Sequence, residues 1–367
     1  MRDSRDSAEE MAARTVREIQ ALLQTDEQWT QWVDTGFNWW PHWFEQRVRF
    51  EPSWLSRGIQ VSRVVVETIV ARNPGRPLPD ELLDLMVNVP GNGERSALTG
   101  SWHPYAIVPA MSALIQRDGL VRLRSSVIVH DETEDWLRKV IAFAAVEQLG
   151  AASCGAITYK NGFSLELANS VHPTSGARAN PDEMVNAAVI RSEQLLQATG
   201  SSKWTDLDEF RTTAEQLTER GLVATTDEGV GDHRGLTFEA PTGPNPGFAI
   251  EGKNSSLVQV FTNVIHARLG AGLLIILRPF ATRLSNAPAS HLSAMEANLA
   301  ECGDSADMWS LGSWGGTGAG LAYVSFLPDA LYRRGGLVLM CWNAATRAVW
   351  FDKVFGVPEP KKRWSVH

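Results

Sequence analysis

Strict alternation between apolar and charged residues constrains the fold of this chain most. In the stretch from 120 to 129, Val121 and Leu123 alternate with Arg122 and Arg124. A period of two places successive side chains on opposite faces, so this stretch predicts a β-strand with one buried face. The same alternation runs from Phe44 to Phe50. Both stretches therefore predict a sheet that is covered on one side.

Helices flank the predicted strands in the first half of the chain. Apolar residues recur at helical spacing between Ala8 and Trp32, and Asp131 begins a second long helix with Glu134 as its capping-box partner. Between these helices we predict strands at 44–50, 59–70, 106–114 and 120–129, with a short helix that begins at Pro79. The order of elements is therefore α-β-β-α-β-β-α.

The second half repeats this order of elements. We predict a helix from Thr205 to Arg220, strands at 236–240, 257–266 and 273–277, a helix after Ser290, strands at 321–327 and 337–342, and a last helix at 345–355. Residues 119–123 and 336–340 give a local echo in sequence. The echo predicts that the strands at 120–129 and 337–342 are equivalent.

The fold class that follows is α+β, with two tandem α-β-β(-β)-α-β-β-α modules whose antiparallel sheets are flanked by helices. We predict an N-terminal module at residues 1–150 and a C-terminal module at residues 204–357. Residues 151–203 form a connector with one helix, which begins at Asn180 and Pro181. Residues 358–367 form a polar tail.

The passage from strand to helix at residues 122–136 resembles that of YbjN-like domains. It runs RLRSSVIVH and then DETEDW. The order of elements over residues 8–150 and 205–356 is similar to that of the type III secretion chaperone and Tir-chaperone-like superfamily. This resemblance implies a non-enzymatic module that binds protein. Because members of that superfamily commonly act as dimers, two modules in one chain resemble a fused pseudo-dimer.

Composition and charge limit the partners that we expect. The chain has 34 Lys and Arg against 42 Asp and Glu, a net charge of −8, and phosphate binding needs an excess of positive charge, so we expect no nucleic acid. No stretch reaches the length of uncharged apolar residues that a membrane helix needs, so we expect no stable membrane insertion. No apolar signal segment is visible, and the cysteines (Cys154, Cys302 and Cys341) are widely spaced, which predicts a cytoplasmic protein.

Two segments are candidates for anion binding. The glycine-rich run at 312–320 lacks the lysine of a phosphate loop, so we expect a flexible turn or bulge between elements, with a backbone anion site at Gly316 and Gly318 as the alternative. His172, Ser175 and Arg178 precede a capped helix and can bind an anionic group there. The alternative is a loop held by its own side-chain hydrogen bonds. The histidines and cysteines show no metal-ligand or nucleophile spacing, so we predict no catalytic residue, metal or cofactor.

Tryptophan is the most conspicuous residue type. The chain has 14 Trp against 4 Tyr, and six of the tryptophans lie between Trp29 and Trp54. Trp39 and Trp40 are adjacent, so a strand would place one of them outside the core. We predict a partner-binding or self-association surface at Trp39, Trp40, Trp43 and Trp54, framed by Arg47 and Arg49. The alternative is that the first helix covers all of these rings.

Three functions follow from these patterns. The first is a non-enzymatic, chaperone-like or adaptor-like protein that captures a client segment, or a second copy of itself, on an open sheet edge or in an aromatic groove. The second is a sensor of a small ligand or nucleotide, built from the segments at 312–320 and 172–178. The third is an enzyme whose site is assembled from distant residues.

Overall fold

A computed structural model provides the structure of this protein. It describes residues 7–56, 58–73, 75–79, 81–83, 111–130, 134–195, 202–227, 235–241, 255–266, 269–279, 291–304, 308–317 and 320–355. The helix cap predicted at Asp131, Gly318 of the glycine-rich run, and most of the strand predicted at 106–114 lie outside the described residues.

The first half and the connector contain a long sheet and three helices among the described residues. In chain order these elements are α1 (Ala8–Leu23), β1 (Thr30–Val33), β2 (Gly36–Trp39), β3 (Glu45–Phe50), β4 (Trp54–Ser56), β5 (Ile59–Arg72), β6 (Ala113–Arg117), β7 (Leu120–Val129), α2 (Glu134–Ile157), a π-helical turn (Thr158–Gly162), β8 (Glu166–Leu167) and α3 (Glu183–Leu195). Helix α2 thus extends beyond residue 150, where we predict the first module to end.

The second half contains a second sheet and three further helices among the described residues. In chain order they are α4 (Leu207–Glu219), β9 (Val223–Asp227), β10 (Gly235–Pro241), β11 (Ser255–His266), β12 (Gly270–Arg278), α5 (His291–Asp304), β13 (Ser313–Thr317), β14 (Gly320–Pro328) and α6 (Gly336–Phe355).

Local sequence determines where the helices begin. Helix α1 has a complete capping box, because the Ser7 hydroxyl accepts the Glu10 N–H and the Glu10 carboxylate accepts the Ser7 N–H, at 3.2 and 2.7 Å. Asp206 caps α4 by accepting two backbone N–H groups. The buried face of α1 includes Val16 and Ile19, which lie at helical spacing.

The two sheets have the same strand order. The described part of the first sheet runs β1-β2-β3-β5-β7-β6, with β4 and β8 as further partners of β5, and that of the second sheet runs β9-β10-β11-β12-β14-β13. Every pair of neighbouring strands is antiparallel. The chain therefore has the predicted α+β class, with antiparallel sheets flanked by helices.

Registers also agree between the sheets, residue by residue. The hairpins β6–β7 and β13–β14 have identical pairing, with each residue of the second hairpin 200 positions after its counterpart. One buried row across the first sheet is Phe37, Val48, Val66 and Ser125, and the matching row across the second is Leu236, Val260, Ile275 and Ser325.

The predicted equivalence of residues 120–129 and 337–342 is wrong. Residues 337–342 lie in helix α6, and the true counterpart of β7 is β14. The run from Leu337 to Trp342 is apolar without a period, because α6 is buried on most of its surface, and such a run does not distinguish strand from helix. A distant side chain caps α6, since Glu209 Oε1 accepts the N–H groups of Gly335 and Leu337 at 2.9 and 3.3 Å.

The two halves are in direct contact. Ser126 of β7 and Ser310 exchange two backbone hydrogen bonds of 3.0 and 2.9 Å, which extends the first sheet with a residue of the second half. The indole N–H of Trp136 donates to the carbonyl of Leu331 at 3.0 Å. Strands β6 and β13, each at one edge of its sheet, lie near each other.

Helix α2 lies at the centre of the first half. It contacts β5, β7, α1 and α3. The stretch Asp135–Gly162 is long and apolar enough to cross a membrane by length and composition, which the sequence analysis missed, and 67% of its most apolar window is buried inside the protein. Burial against four elements accounts for its apolar character.

Candidate functional site

Trp39 and Trp40 are both core residues. Trp39 is 0% exposed and Trp40 is 4% exposed. The expectation that one of them lies outside the core is wrong, because β2 ends at Trp39 and the strand alternation does not extend to Trp40. The backbone N–H of Trp40 donates to the carbonyl of Trp29 at 3.0 Å. The Trp40 ring packs edge-on against His172, with ring centroids 4.7 Å apart.

Trp43 and Trp54 lie at separate places. Trp43 is half-buried and packs edge-on against Phe44, with ring centroids 5.1 Å apart. Trp54 lies in β4, where the guanidinium of Arg63 is 5.3 Å from its ring centroid. The structure therefore does not gather the four predicted tryptophans into one surface.

Arg47 and Arg49 lie on the face of the first sheet that is turned away from α1 and α2. Gln46, the residue before Arg47, points the other way, since its amide donates to the carbonyl of Ala145 in α2 at 2.9 Å. We name this outer face the charged sheet face. It consists of Glu45, Arg47, Arg49, Glu51, Arg63, Glu67, Arg122 and Arg124.

Ion pairs connect most of the charged sheet face. Arg47 Nε is 2.7 Å from Glu45 Oε1, and Arg124 Nη1 is 2.7 Å from Glu67 Oε1. The hydrogen bond to Glu45 raises the pKa of Arg47. Because these groups are partly buried, solvent screens their attraction less than at an open surface. Five arginines against three glutamates leave two positive charges in excess.

Arg49 is the exception in this network. Its guanidinium donates to the carbonyls of Phe37 and Val48 and to Oδ1 of Asn38. Within the described residues no carboxylate contacts it. Burial, followed by the nearby Arg47 guanidinium, lowers the pKa of Arg49. Arg49 is thus a half-buried cation held by neutral acceptors.

Strand β1 forms an open edge of the first sheet. In the part of the chain that the structure describes, no strand pairs with the side of β1 opposite β2. Trp32 and Val33 are 52% and 38% exposed, although both are apolar. Edge strands of soluble proteins are protected from further pairing by short length, by lysine or proline, or by a bulge. Strand β1 (TQWV) is short, with four residues, and carries no lysine, proline or bulge.

The ladder between β1 and β2 shows which amide points outward. The pair Trp29–Trp40 shares a backbone hydrogen bond, and hydrogen-bonded pairs alternate with non-bonded pairs in an antiparallel ladder. Gln31 and Val33 therefore direct their amides to β2, whereas Trp32, opposite Phe37, directs its N–H and C=O to the open edge. Sequence reasoning missed Trp32, because strand order is a tertiary property.

The predicted anion site at His172, Ser175 and Arg178 anchors the start of β1. His172 Nδ1 accepts the Ser175 N–H at 3.0 Å, and the Ser175 hydroxyl donates to the carbonyl of Gln28 at 2.9 Å. Arg178 pairs with Asp26 and Asp182 at 3.1 and 3.0 Å. These groups are engaged with this chain, so the geometry favours the loop held by its own hydrogen bonds.

The glycine-rich run at 312–320 contains a strand. Residues 313–317 form β13, which pairs with β14, so Gly316 lies in an edge strand and the expected flexible turn is wrong there. Gly312 allows a close approach of the backbone, because a Cβ at this position would lie 2.2 Å from the carbonyl oxygen of Val324. Gly316 lies in the second sheet, whereas His172 packs against the first.

A cleft of about 300 Å³ separates the two halves near α6. Its walls are mainly apolar and include Val61 and Ile128 from the first half and Trp309, Leu339 and Trp342 from the second. The sequence gives no signal for this cleft, because its two walls lie far apart in the chain.

Two of the three cysteines, Cys302 and Cys341, are poor nucleophiles. Burial raises the pKa of the Cys302 thiol to about 11 and also raises the pKa of Cys341. Among the described residues no group of three or more His, Cys, Asp or Glu side chains has a metal-binding arrangement.

Searches of protein-family models, of curated proteins and of solved structures found no match to this chain.

Proposed function

We propose that this chain is a non-enzymatic binding protein that captures an extended segment of a protein partner as an added strand on β1. The observation that carries the proposal is the open edge of β1, where the outward amide and exposed indole of Trp32 are available together. Addition of a strand satisfies backbone groups, and side-chain pockets then give specificity.

An added strand would complete an apolar row. Trp32 lies opposite Phe37, which lies opposite the buried Val48. The Trp32 and Phe37 rings are 5.5 Å apart at their centroids. An apolar partner residue placed opposite Trp32 would cover the exposed indole and extend this row by one position.

The other sheet edges are less suitable. Strands β6 and β13 lie near each other, and α5 contacts both of them. Strand β9 is contacted by α4. The connector contacts Asp26 and Gln28, just before β1, and leaves Gln31 to Val33 exposed.

The shared strand order supports the proposal of two tandem chaperone-like modules, similar to the YbjN and type III secretion chaperone superfamily, in a fused pseudo-dimer. We further propose that the partner is protein rather than nucleic acid or membrane, and that the chain acts in the cytoplasm. The net charge of −8 and the free cysteines support this assignment.

The test uses fluorescent peptides of about eight residues that alternate valine and glutamine, which covers one edge strand. We expect the wild-type chain to bind this peptide, and a peptide N-methylated on the residues that face β1 to lose binding. Trp32→Pro removes the outward N–H without breaking the β1–β2 ladder, and it should abolish binding. Leu55→Ala, which truncates another exposed apolar residue, is the matched control and should bind normally. Equal binding to wild type and Trp32→Pro would overturn the proposal.

A second candidate function is the binding of a small apolar ligand in the cleft between the halves. The two tryptophans of the cleft support it, since small-molecule sites are concave and largely apolar. The probe is 1-anilinonaphthalene-8-sulfonate, whose fluorescence should rise on binding and should fall for Trp342→Ala. Val349→Ala, on the same helix but outside the cleft, is the control. Equal fluorescence with the wild-type chain, Trp342→Ala and Val349→Ala would contradict ligand binding in the cleft.

A further inference from the structure

We propose that the segment captured on β1 alternates apolar with acidic residues, and that Arg49 selects the acidic ones. This inference rests on the proposed function of β1 and names the chemical class of its partner. Three observations support it: the face on which Arg49 lies, the neutral acceptors that hold its guanidinium, and the absence of a carboxylate partner among the described residues.

Strand geometry assigns the faces of an added segment. A residue opposite Trp32 would share the helix-side face with the indole. The residues before and after it would lie on the outer face, beside Gln31 and Val33, because side chains alternate. An apolar residue is favoured opposite Trp32. The charge on the outer face determines which residue types are favoured at the positions before and after it.

The outer face has an open row between the edge and Arg49. Val33 lies opposite Gly36, and Gly36 lies opposite Arg49. Because Gly36 has no side chain, no side chain of β2 stands in this row between the edge strand and the guanidinium. The next row contains Gln31, Asn38 and Arg47. This row presents no net charge to the edge strand, because Glu45 neutralises Arg47.

The guanidinium of Arg49 extends towards the edge. Two of its acceptors, the Phe37 carbonyl and the Asn38 amide oxygen, belong to β2, and the third belongs to its own strand, so the charged group reaches from β3 towards β2. An added strand would lie about 10 Å from β2, two strand spacings away. A glutamate side chain on the outer face that leans towards β2 covers about half of that distance, so its carboxylate would attract the guanidinium from about 5 Å.

Charge complementarity therefore favours an acidic residue over a neutral or basic one at the outer-face positions. Arg47, Arg122 and Arg124 already have carboxylate partners, whereas Arg49 has none among the described residues. Burial and Arg47 lower the pKa of Arg49, and the more distant charges of Glu45 and Glu67 offset this only in part. An incoming carboxylate would supply the missing counter-charge.

The test compares three peptides of about eight residues that alternate valine with glutamate, glutamine or lysine. For the wild-type chain at about 20 mM salt we expect the glutamate peptide to bind about threefold more tightly than the glutamine peptide, and the lysine peptide most weakly. Arg49→Gln should retain binding of the glutamine peptide and lose the preference. Arg49→Lys should keep the preference. Arg211→Gln removes the same charge from an exposed site on α4, and its preference should match wild type.

The outcomes separate this inference from the proposed function. Equal affinity of the wild-type chain for the three peptides would overturn the preference for acidic residues and leave strand capture intact. A preference that persists in Arg49→Gln would overturn the role of Arg49. Failure of all three peptides to bind would contradict the proposed function, and this inference would be rejected with it.

Discussion

Ser125 and Ser325 make the same hydrogen bond in the two halves of the molecule. The hydroxyl of Ser125 in β7 donates to the carbonyl of Met111, and the hydroxyl of Ser325 in β14 donates to the carbonyl of Leu311, each across 14 residues of sequence. The two serines occupy the same position in matching rows of the two sheets. This correspondence at the level of single atoms supports the proposal that the halves are tandem modules.

Removal of either hydroxyl should lower stability in the same direction. We expect Ser325→Ala to lower the free energy of unfolding by about 1 kcal/mol. Ser125→Ala should cost at least as much, because the Ser125 hydroxyl also bonds to Ser112 and Gln148. Denaturant unfolding measures both values. A normal stability for Ser325→Ala beside a destabilised Ser125→Ala would contradict the equivalence of the two positions.

Truncation of either buried tryptophan should unfold much of the first half. Trp39→Ala and Trp40→Ala should each lower the free energy of unfolding by about 3–5 kcal/mol, because both rings are in the core. Trp32→Ala is the matched control, and it should cost less than about 1 kcal/mol because the ring is half exposed. A stable Trp40→Ala variant would show that its ring contributes little to the core.

The buried ion pair of the second half should be sensitive to the loss of one partner. Arg347 Nη2 is 2.7 Å from Glu301 Oε1, and both side chains are almost completely buried. Glu301 also accepts hydrogen bonds from Ser310 and from the indole of Trp314. Arg347→Met should lower the free energy of unfolding by about 3–5 kcal/mol, because it leaves an uncompensated carboxylate.

The double variant Arg347→Met with Glu301→Gln is the control for this ion pair. It removes both charges, so we expect it to recover much of the lost stability. Thermal unfolding of the two variants beside wild type compares the stability that each of them loses. A double variant as unstable as Arg347→Met would show that the damage comes from lost packing rather than from the unpaired charge.

Mild acid should destabilise the protein through His42. Burial, followed by the guanidinium of Arg178, lowers the pKa of His42 below its usual value, and its Nδ1 is buried without a hydrogen-bond partner among the described residues. The unfolded state then binds more protons below about pH 6.5, so the contribution of His42 is present above that pH and is lost as the pH falls. Between about pH 7.5 and about pH 5.5, His42→Gln should lose less stability than wild type. Equal losses would contradict this account.

The sequence predicts elements well where a local signal determines them. The strand at 120–129 is found as β7 with the same bounds, and the alternating stretch 44–50 contains β3. Strand β13 was not predicted, because the glycine-rich run that contains it is typical of a turn. Gly312 is instead required by the close approach of the Val324 backbone. Residues 337–342 were predicted as a strand because α6 is buried on most sides and lacks a polar period.

The candidate site depends on information that the sequence does not contain. Adjacent tryptophans at 39 and 40 suggest an exposed ring only if the strand continues, and β2 ends between them. That β1 is an edge, and that Arg49 lacks a carboxylate partner among the described residues, follow from strand order and register. Residue type alone therefore pointed to the stretch from Trp29 to Trp54, which contains β1, and it did not single out Trp32.

The backbone amide of Trp32 gives the most direct test of strand capture on β1. Amide hydrogen exchange, followed by NMR, compares the free chain with the chain saturated by the alternating valine–glutamine peptide. We predict rapid exchange at Trp32 in the free chain and strong protection in the complex, with little change at Gln31 and Val33, which already bond to β2. A complex in which the peptide is bound and the Trp32 amide still exchanges rapidly would contradict the account.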